Sequence, residues 1–258
     1  MAEDPDYIIQ SVVKALKTLK QFSAEEKQLT MTELSKRTGI NKSNMLRILT
    51  SLESENFVKF NDETKKYQLG IAMYNLGNTA FGFLDVKKIC YPILREASTD
   101  AQVLIHLAVE QDGKVLVIDR IWPNYHEDIA GLVSQIGGNV PTHCTGVGKV
   151  LAAYSSSDRL QKMLAACKFE RHSERTITDK EMFLKELAKV KAQGFALNDG
   201  ENEDYLRCIT RPVFDGNGKL VAAFSLSGLR TVMDDEHLPY YQDVSKRVAL
   251  ELCKEFGC

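Results

Sequence analysis

Leu29-Thr-Met-Thr-Glu-Leu-Ser-Lys-Arg-Thr-Gly-Ile-Asn-Lys-Ser-Asn-Met-Leu-Arg-Ile-Leu49 is the stretch that decides the fold at the front of this chain. Met31 to Thr38 predicts a short helix with Thr32 as its N-cap, and Gly39 supplies the left-handed residue that ends it in a sharp turn. Asn41 or Lys42 then opens another helix, with Met45, Ile48, Leu49 and Leu52 at inward spacing and Ser43, Asn44 and Arg47 turned outward. Upstream, Ile9, Val12, Val13, Leu16 and Leu19 fall at helical spacing while Lys14, Lys17 and Lys20 face away, which predicts a helix over 8–22 with one buried stripe. Downstream, Phe57 to Phe60 and Tyr67 to Leu69 alternate around a polar loop over 61–66 and predict a hairpin. Helix, helix, glycine turn, helix and hairpin in that order form the pattern of a winged helix-turn-helix, assigned to residues 1–70.

The charge distribution agrees. The chain of 258 residues carries a formal charge of -2, yet Lys36 to Lys66 holds seven basic residues against four acidic ones, so positive charge is concentrated where a duplex would dock. The outward face of the third helix starts with small polar residues and one arginine, which suit base edges and phosphates better than the Glu/Lys mixture of a merely solvated helix. Lys42, Ser43, Asn44 and Arg47 are the expected DNA contacts there, and Lys65 and Lys66 the phosphate contacts of the wing. With 44% hydrophobic residues the chain has enough apolar material for two cores, which excludes disorder as its main state. No run approaches a membrane span and the first seven residues are acidic, so a cytoplasmic protein is expected. The six cysteines include no Cys-x-x-Cys pair, and reduced thiols are expected, with no disulfide framework and no metal cluster.

A weakly amphipathic segment over 71–85 reads as a linker helix, and the chain changes character beyond it. Gln102 to Val109 and Lys114 to Ile121 predict strands joined by Asp112-Gly113, and Leu206 to Val213 and Lys219 to Ser227 repeat that arrangement around Asp215 to Gly218. Helices are predicted over 86–97, 146–154, 157–166, 179–193 and 239–256. Hairpins with helices between them imply an α+β domain over 86–258, its antiparallel sheet flanked by helices.

Taken together, the segment 29–49, Phe57-Val58 and Tyr67-Gln68-Leu69-Gly70 resemble the DNA-binding domain of the IclR family of bacterial transcriptional regulators. Pro141-Thr-His-Cys-Thr-Gly-Val-Gly-Lys-Val-Leu-Ala-Ala153, Gly194-Phe-Ala-Leu-Asn-Asp199, Leu206-Arg-Cys-Ile209, Pro212-Val-Phe-Asp215 and Phe224-Ser-Leu-Ser-Gly228 resemble its effector domain. The resemblance implies a GAF-like second domain, dimers formed through the N-terminal region and often paired into tetramers, a double-stranded operator as partner, and a small organic ligand, commonly a carboxylate or aromatic catabolite. It implies no cofactor and no catalytic residue. Carried over position by position, the ligand pocket falls on Ile129, Leu132 and Val140 as apolar wall, on Gly146 and Val147 at a helix start, and on Asn198, Leu206, Cys208, Ser225 and Ser227. A helix N-terminus attracts an anion, and hydroxyls two apart on a strand share a face, so the physical chemistry agrees. Asn198 stands where the family often has aspartate, which changes the ligand group that the pocket accepts.

Other features point elsewhere. Gly146-Val147-Gly148-Lys149 hints at a phosphate loop, but position 143 is histidine and position 150 valine, where a Walker A loop needs Gly and Ser or Thr. His143-Cys144, with Cys208, could form a nucleophile pair or a metal or redox site. Packing is the favoured alternative, because adjacent residues on an extended chain point to opposite faces. Trp122-Pro123 and Tyr125-His126 end a strand as loop anchors or ligand contacts, and Ser155 to Ser157 cap a helix rather than form a nucleophile elbow. A regulator is therefore expected, with a small-molecule enzyme or a metal or redox sensor built on the second domain as the competing functions.

Overall fold

The computed structural model describes residues 8–23, 26–80, 83–123 and 135–258. The chain divides into two compact units, Met1–Gly82 and Phe83–Cys258.

The first unit runs α1 (Gln10–Leu19), β1 (Gln28–Leu29), α2 (Met31–Thr38), α3 (Lys42–Ser54), β2 (Val58–Asn61), β3 (Lys66–Leu69) and α4 (Ile71–Ala80). Its antiparallel sheet has the order β1-β3-β2. β1, too short for a period to show, is a strand the sequence did not reveal. Leu19, Leu29, Leu34, Ile40, Met45, Leu49, Val58 and Tyr67 form the core, so one apolar residue or more from each element but α4 fixes the arrangement. The N-cap of α2 is Thr30 rather than Thr32: its hydroxyl accepts from Glu33 N–H at 3.2 Å, and the Glu33 carboxylate accepts from Thr30 N–H at 2.7 Å. That reciprocal box needs an acidic residue three positions on, which Thr30 has and Thr32 lacks. Gly39, at φ 72°, ends the helix as its spacing predicted. α1 departs from the single buried stripe. Thr18 and Leu19 are buried, but Ile9, Val12 and Leu16 are 66%, 51% and 51% exposed. Helical spacing identifies an apolar face without saying that the unit's own core covers it.

The second unit runs α5 (Phe83–Ala101), β4 (Leu104–Gln111), β5 (Lys114–Ile121), β6 (Asn139–Val140), α6 (Gly146–Tyr154), α7 (Ser157–Ala166), α8 (Lys180–Gln193), β7 (Ala196–Asp199), β8 (Leu206–Phe214), β9 (Leu220–Leu229) and α9 (Leu238–Glu255). Its six-stranded sheet has the order β6-β5-β4-β9-β8-β7, and its paired strands are antiparallel. Two cores lie on its two faces, as an α+β fold requires. Ile105 and Leu107 of β4 and Phe224 and Leu226 of β9 pack with Leu94 of α5 and Val248 and Leu252 of α9. Ala108 and Ala223 face the other way, towards Val150 and Leu151 of α6, Met163 of α7 and Phe183 and Leu187 of α8. The Asp112-Gly113 turn takes φ of 52° and 78°, the left-handed pair of a tight hairpin. β6 and β7 were not legible in the sequence, one being two residues long and the other following a helix with no turn signal of its own.

Cys90, Cys144, Cys167 and Cys208 are free thiols, as expected. Cys253 and Cys258 are disulfide-bonded, which corrects the expectation of reduced thiols at the C-terminus. Their five-residue separation closes a local loop across the end of α9, a proximity that a search for Cys-x-x-Cys does not detect.

Candidate functional site

In the first unit α3 carries the residues expected to meet DNA. Asn41 caps it, its side chain accepting from Asn44 N–H at 2.9 Å, which holds the start of the helix in register. Met45 and Leu49 anchor the inner face, so Lys42, Ser43, Asn44 and Arg47 are all exposed. Among the described residues neither Lys42 nor Arg47 is held in an ion pair, which leaves both cations available to phosphate or a guanine edge. The β2–β3 hairpin is pinned by Asn61, whose side chain accepts from Glu63 and Thr64 N–H at 2.9 and 3.0 Å. Lys65 sits at its left-handed turn position, exposed and only loosely paired with Asp62 at 3.8 Å, and Lys66 follows, half-buried, as the first residue of β3.

In the second unit the pairing register builds a polar surface on the sheet face towards α6. Across one row lie Leu104, Ser227, Cys208 and Asn198, and across the next His106, Ser225, Thr210 and Ala196, on β4, β9, β8 and β7 in turn. Thr210 donates to Ser225 Oγ at 2.9 Å, Ser225 and Ser227 hydroxyls lie 3.4 Å apart, and His106 Nδ1 is 3.2 Å from Ser227 Oγ. The start of α6 closes down on this surface. Thr145 caps it by accepting from Gly148 N–H at 3.1 Å. Two close approaches explain the glycines: a Cβ on Gly146 would collide with the Thr210 hydroxyl, and one on Gly148 with the Thr142 backbone. Lys149 is wholly buried, donating to Leu197 O at 2.7 Å and to the Glu201 carboxylate, with Glu186 at 3.3 Å. The Gly-Val-Gly-Lys run is thus a packing device, and its lysine is committed to an internal ion pair.

Between α6 and the sheet lies a cavity of about 70 Å³, lined by His106, Val117, Val140, Thr145, Gly146, Val147, Asn198, Asn202, Glu203, Leu206, Cys208, Ser225 and Ser227. Every described residue expected in the pocket is on this wall, namely Val140, Gly146, Val147, Asn198, Leu206, Cys208, Ser225 and Ser227. Ile129 and Leu132 fall outside the described residues, as do Tyr125 and His126. Sequence reasoning missed His106, Val117, Thr145, Asn202 and Glu203. His106 had a findable signal: it stands two residues before Ala108 in a strand whose alternate residues pack on α5 and α9.

Burial, reinforced by the nearby Arg120 guanidinium, holds the His106 imidazole down to about 4, so it is neutral at physiological pH. Its Nε2 is buried without a hydrogen-bond partner among the described residues. Burial likewise pushes the Cys208 thiol up to about 11, and the Glu203 carboxyl is raised for the same reason. Burial, with the Glu201 carboxylate adding to it, pushes Cys144 up to about 12. Neither cysteine is a thiolate near neutral pH, which argues against nucleophilic use of either.

A winged helix-turn-helix and a cavity-bearing α+β domain in one chain define the class of DNA-binding regulators with a C-terminal effector domain. Residues 11–62 match the family described as IclR helix-turn-helix domain, and residues 79–254 that described as Bacterial transcriptional regulator IclR C-terminal. The HTH-type transcriptional regulator XynR of Escherichia coli is 30% identical over 251 residues, 97% of this chain and 98% of XynR. The crystal structure of the Thermotoga maritima IclR superposes with a TM-score of 0.79 at 25% identity, over 96% of this chain and 99% of that one. An IclR homologue from Microbacterium hydrocarbonoxydans, crystallised with 4-hydroxybenzoate, shares the fold with a TM-score of 0.79 at 19% identity, over 95% and 98% of the two chains. The chain belongs to the IclR family of bacterial transcriptional regulators. No helix among the described residues is long and apolar enough to cross a membrane.

Proposed function

We propose that this regulator occupies a near-palindromic operator as a homodimer, or a pair of dimers, and that a small organic acid or aromatic metabolite in the second-unit cavity shifts its DNA-binding units between competent and incompetent placements. Ser43, Asn44 and Arg47 read or grip the major groove, and Lys42, Lys65 and Lys66 hold phosphates. The exposed apolar residues Ile9 at the N-cap of α1, Val12 and Leu16 within it, and Ile71, Tyr74 and Leu76 of α4 are surface that a second copy would cover, which supports self-association through the first unit. Its place of action is the cytoplasm, where the operator is.

The observation that carries the ligand assignment is the mixed character of the cavity wall. Val117, Val140, Val147 and Leu206 offer apolar contacts, while the Ser225 and Ser227 hydroxyls, the neutral His106, the Asn198 and Asn202 amides and the first N–H groups of α6 offer polar ones, with the Glu203 carboxyl, raised by burial, beside them. A ligand with a carboxylate or hydroxyl at one end of a short apolar body satisfies both, which is the chemistry of 4-hydroxybenzoate in the Microbacterium homologue. A sensor binds such a molecule without turning it over. The test is a thermal-shift screen of organic acids and aromatic metabolites on the full chain, repeated with Ser225→Ala/Ser227→Ala. A true ligand raises the melting temperature in proportion to the logarithm of its concentration, and the double variant loses that response. Gel retardation on promoter DNA with the same compound must then change. A panel with no hit, or hits indifferent to the double variant, rejects the assignment.

A further inference from the structure

Outside the ligand cavity, the loop leading into α6 assembles side chains that neither DNA binding nor effector binding uses. Residues 142–145 form a run of bends, not an extended strand, so the alternation that would send His143 and Cys144 to opposite faces does not operate. One ligating atom each from His143, Cys144 and His172 lie within 4.8 Å of one another. Cys167, at the end of α7, brings its Sγ to 3.4 Å from His143 Nδ1. His143 Nε2 is 2.8 Å from the Glu170 carbonyl oxygen, an acceptor only, so Nε2 carries the proton and Nδ1 keeps its lone pair on the sulfur side.

We propose that His143, Cys144, Cys167 and His172 form a binding site for Zn²⁺ or a similar borderline-soft divalent ion. Two thiolates and two imidazoles are the donor set that such an ion selects over Mg²⁺ or Ca²⁺. With Zn–S near 2.3 Å and Zn–N near 2.0–2.1 Å, donors of a tetrahedral site stand about 3.3–3.8 Å apart. The 3.4 Å between Cys167 and His143 already meets that spacing. Separations of up to 4.8 Å in the trio exceed that spacing by about 1 Å, an adjustment open to His172, which is exposed on a loop. The bond from Nε2–H to the Glu170 carbonyl is the outer-shell contact that orients a metal-bound histidine. A second cavity, of about 320 Å³ and lined in part by His143, Cys167, Glu170 and His172, gives the ion a path from solvent. Lys114 and Lys168 also line it, and they do not oppose binding, since a divalent ion with two thiolates is neutral. Each thiol proton leaves to buffer as its Sγ–metal bond forms, with no change of oxidation state.

Cobalt(II) added to the untagged, chelator-treated full chain tests the site, because thiolate ligation gives a charge-transfer absorption that carboxylate or histidine ligation lacks. One equivalent per chain is expected to bind with that band, and zinc to displace it. His172→Ala, which alters an exposed residue and leaves the core intact, is expected to weaken cobalt binding roughly 100-fold or more. Cys144→Ser does the same, Cys167→Ser loses about half the charge-transfer intensity, and His237→Ala, remote from the site, changes nothing. A wild-type chain without the band, an unchanged cobalt affinity in His172→Ala, or a band undiminished in Cys144→Ser or Cys167→Ser, overturns the proposal.

Discussion

Lys149→Met isolates the cost of the ion pair buried beneath the ligand cavity. The substitution keeps the length and apolar stem of the side chain, so the change is the loss of one charge in a wholly buried position. Glu186 retains Lys189 at 3.9 Å and some solvent, whereas Glu201 is nearly buried and one of its carboxylate oxygens already lacks a partner among the described residues. Glu201 is therefore the group left stranded, and removing one member of a buried pair costs about 3–5 kcal/mol. For a unit of this size each kcal/mol lowers the melting temperature by about 2–4 °C, so a fall of roughly 6–20 °C is expected. The pH dependence has a definite sign. Burial already raises the Glu201 carboxyl above its ordinary 4.5, and loss of the ammonium raises it further. The folded state then holds that proton more tightly than the unfolded one, so stability declines as pH climbs from the ordinary carboxylate range through the folded value. The deficit of Lys149→Met should be largest near about pH 7 and shrink towards about pH 5, as Glu201 protonates. Calorimetry of the full chain, following the second-unit transition, reads both quantities, and Lys149→Met/Glu201→Gln should recover most of the loss. A shift under about 2 °C, an equal deficit at both pH values, or no recovery in the double variant would refute the assignment of an energetic role to this pair.

Arg47→Ala should weaken operator binding by about 1–3 kcal/mol and relax specificity at one base pair, whereas Lys66→Ala should weaken all sequences alike and reduce the salt slope by about one, both read by fluorescence anisotropy over a salt series. Gly146→Ala forces a methyl group into the Thr210 hydroxyl and should abolish ligand response, with Gly146→Ala/Thr210→Ala restoring part of it. His106 binds its proton near 4 when folded and near 6.5 when unfolded, so stability should fall as pH drops from the upper value to the lower, by roughly 3 kcal/mol in all, a loss that His106→Gln should remove from the unfolding curves.

Much of this fold is written in local sequence, and the features that are not share a cause. The α2–turn–α3 unit declared itself because Gly39 and the Met45/Leu49 spacing are local, and the two long hairpins did so through Asp112-Gly113 and Asp215 to Gly218. The cavity wall was legible by likeness to a family: nothing in the spacing of Cys208, Ser225 and Asn198 says that three antiparallel strands set them in adjoining rows. His106 was missed because its meaning lies in the register with Ser225, a long-range fact. The exposed α1 face and the gathering of His143, Cys144 and His172 were missed for the same reason, since each depends on what a distant segment covers or delivers. Even the N-cap error at Thr32 came from neglecting a partner three residues away, the shortest such case.

The two halves of the protein answer to different physical variables. Contacts made by exposed cations to phosphate weaken as ions in the medium screen them. The cavity proposed to take the ligand offers buried, uncharged imidazole, thiol and hydroxyl groups, His106 and Cys208 both being neutral near pH 7, and contacts to such groups depend far less on that screening. On the proposed function, osmotic upshift should thus loosen the grip on the operator while leaving metabolite detection intact, so that operator occupancy and cavity occupancy answer separately to a saltier cell.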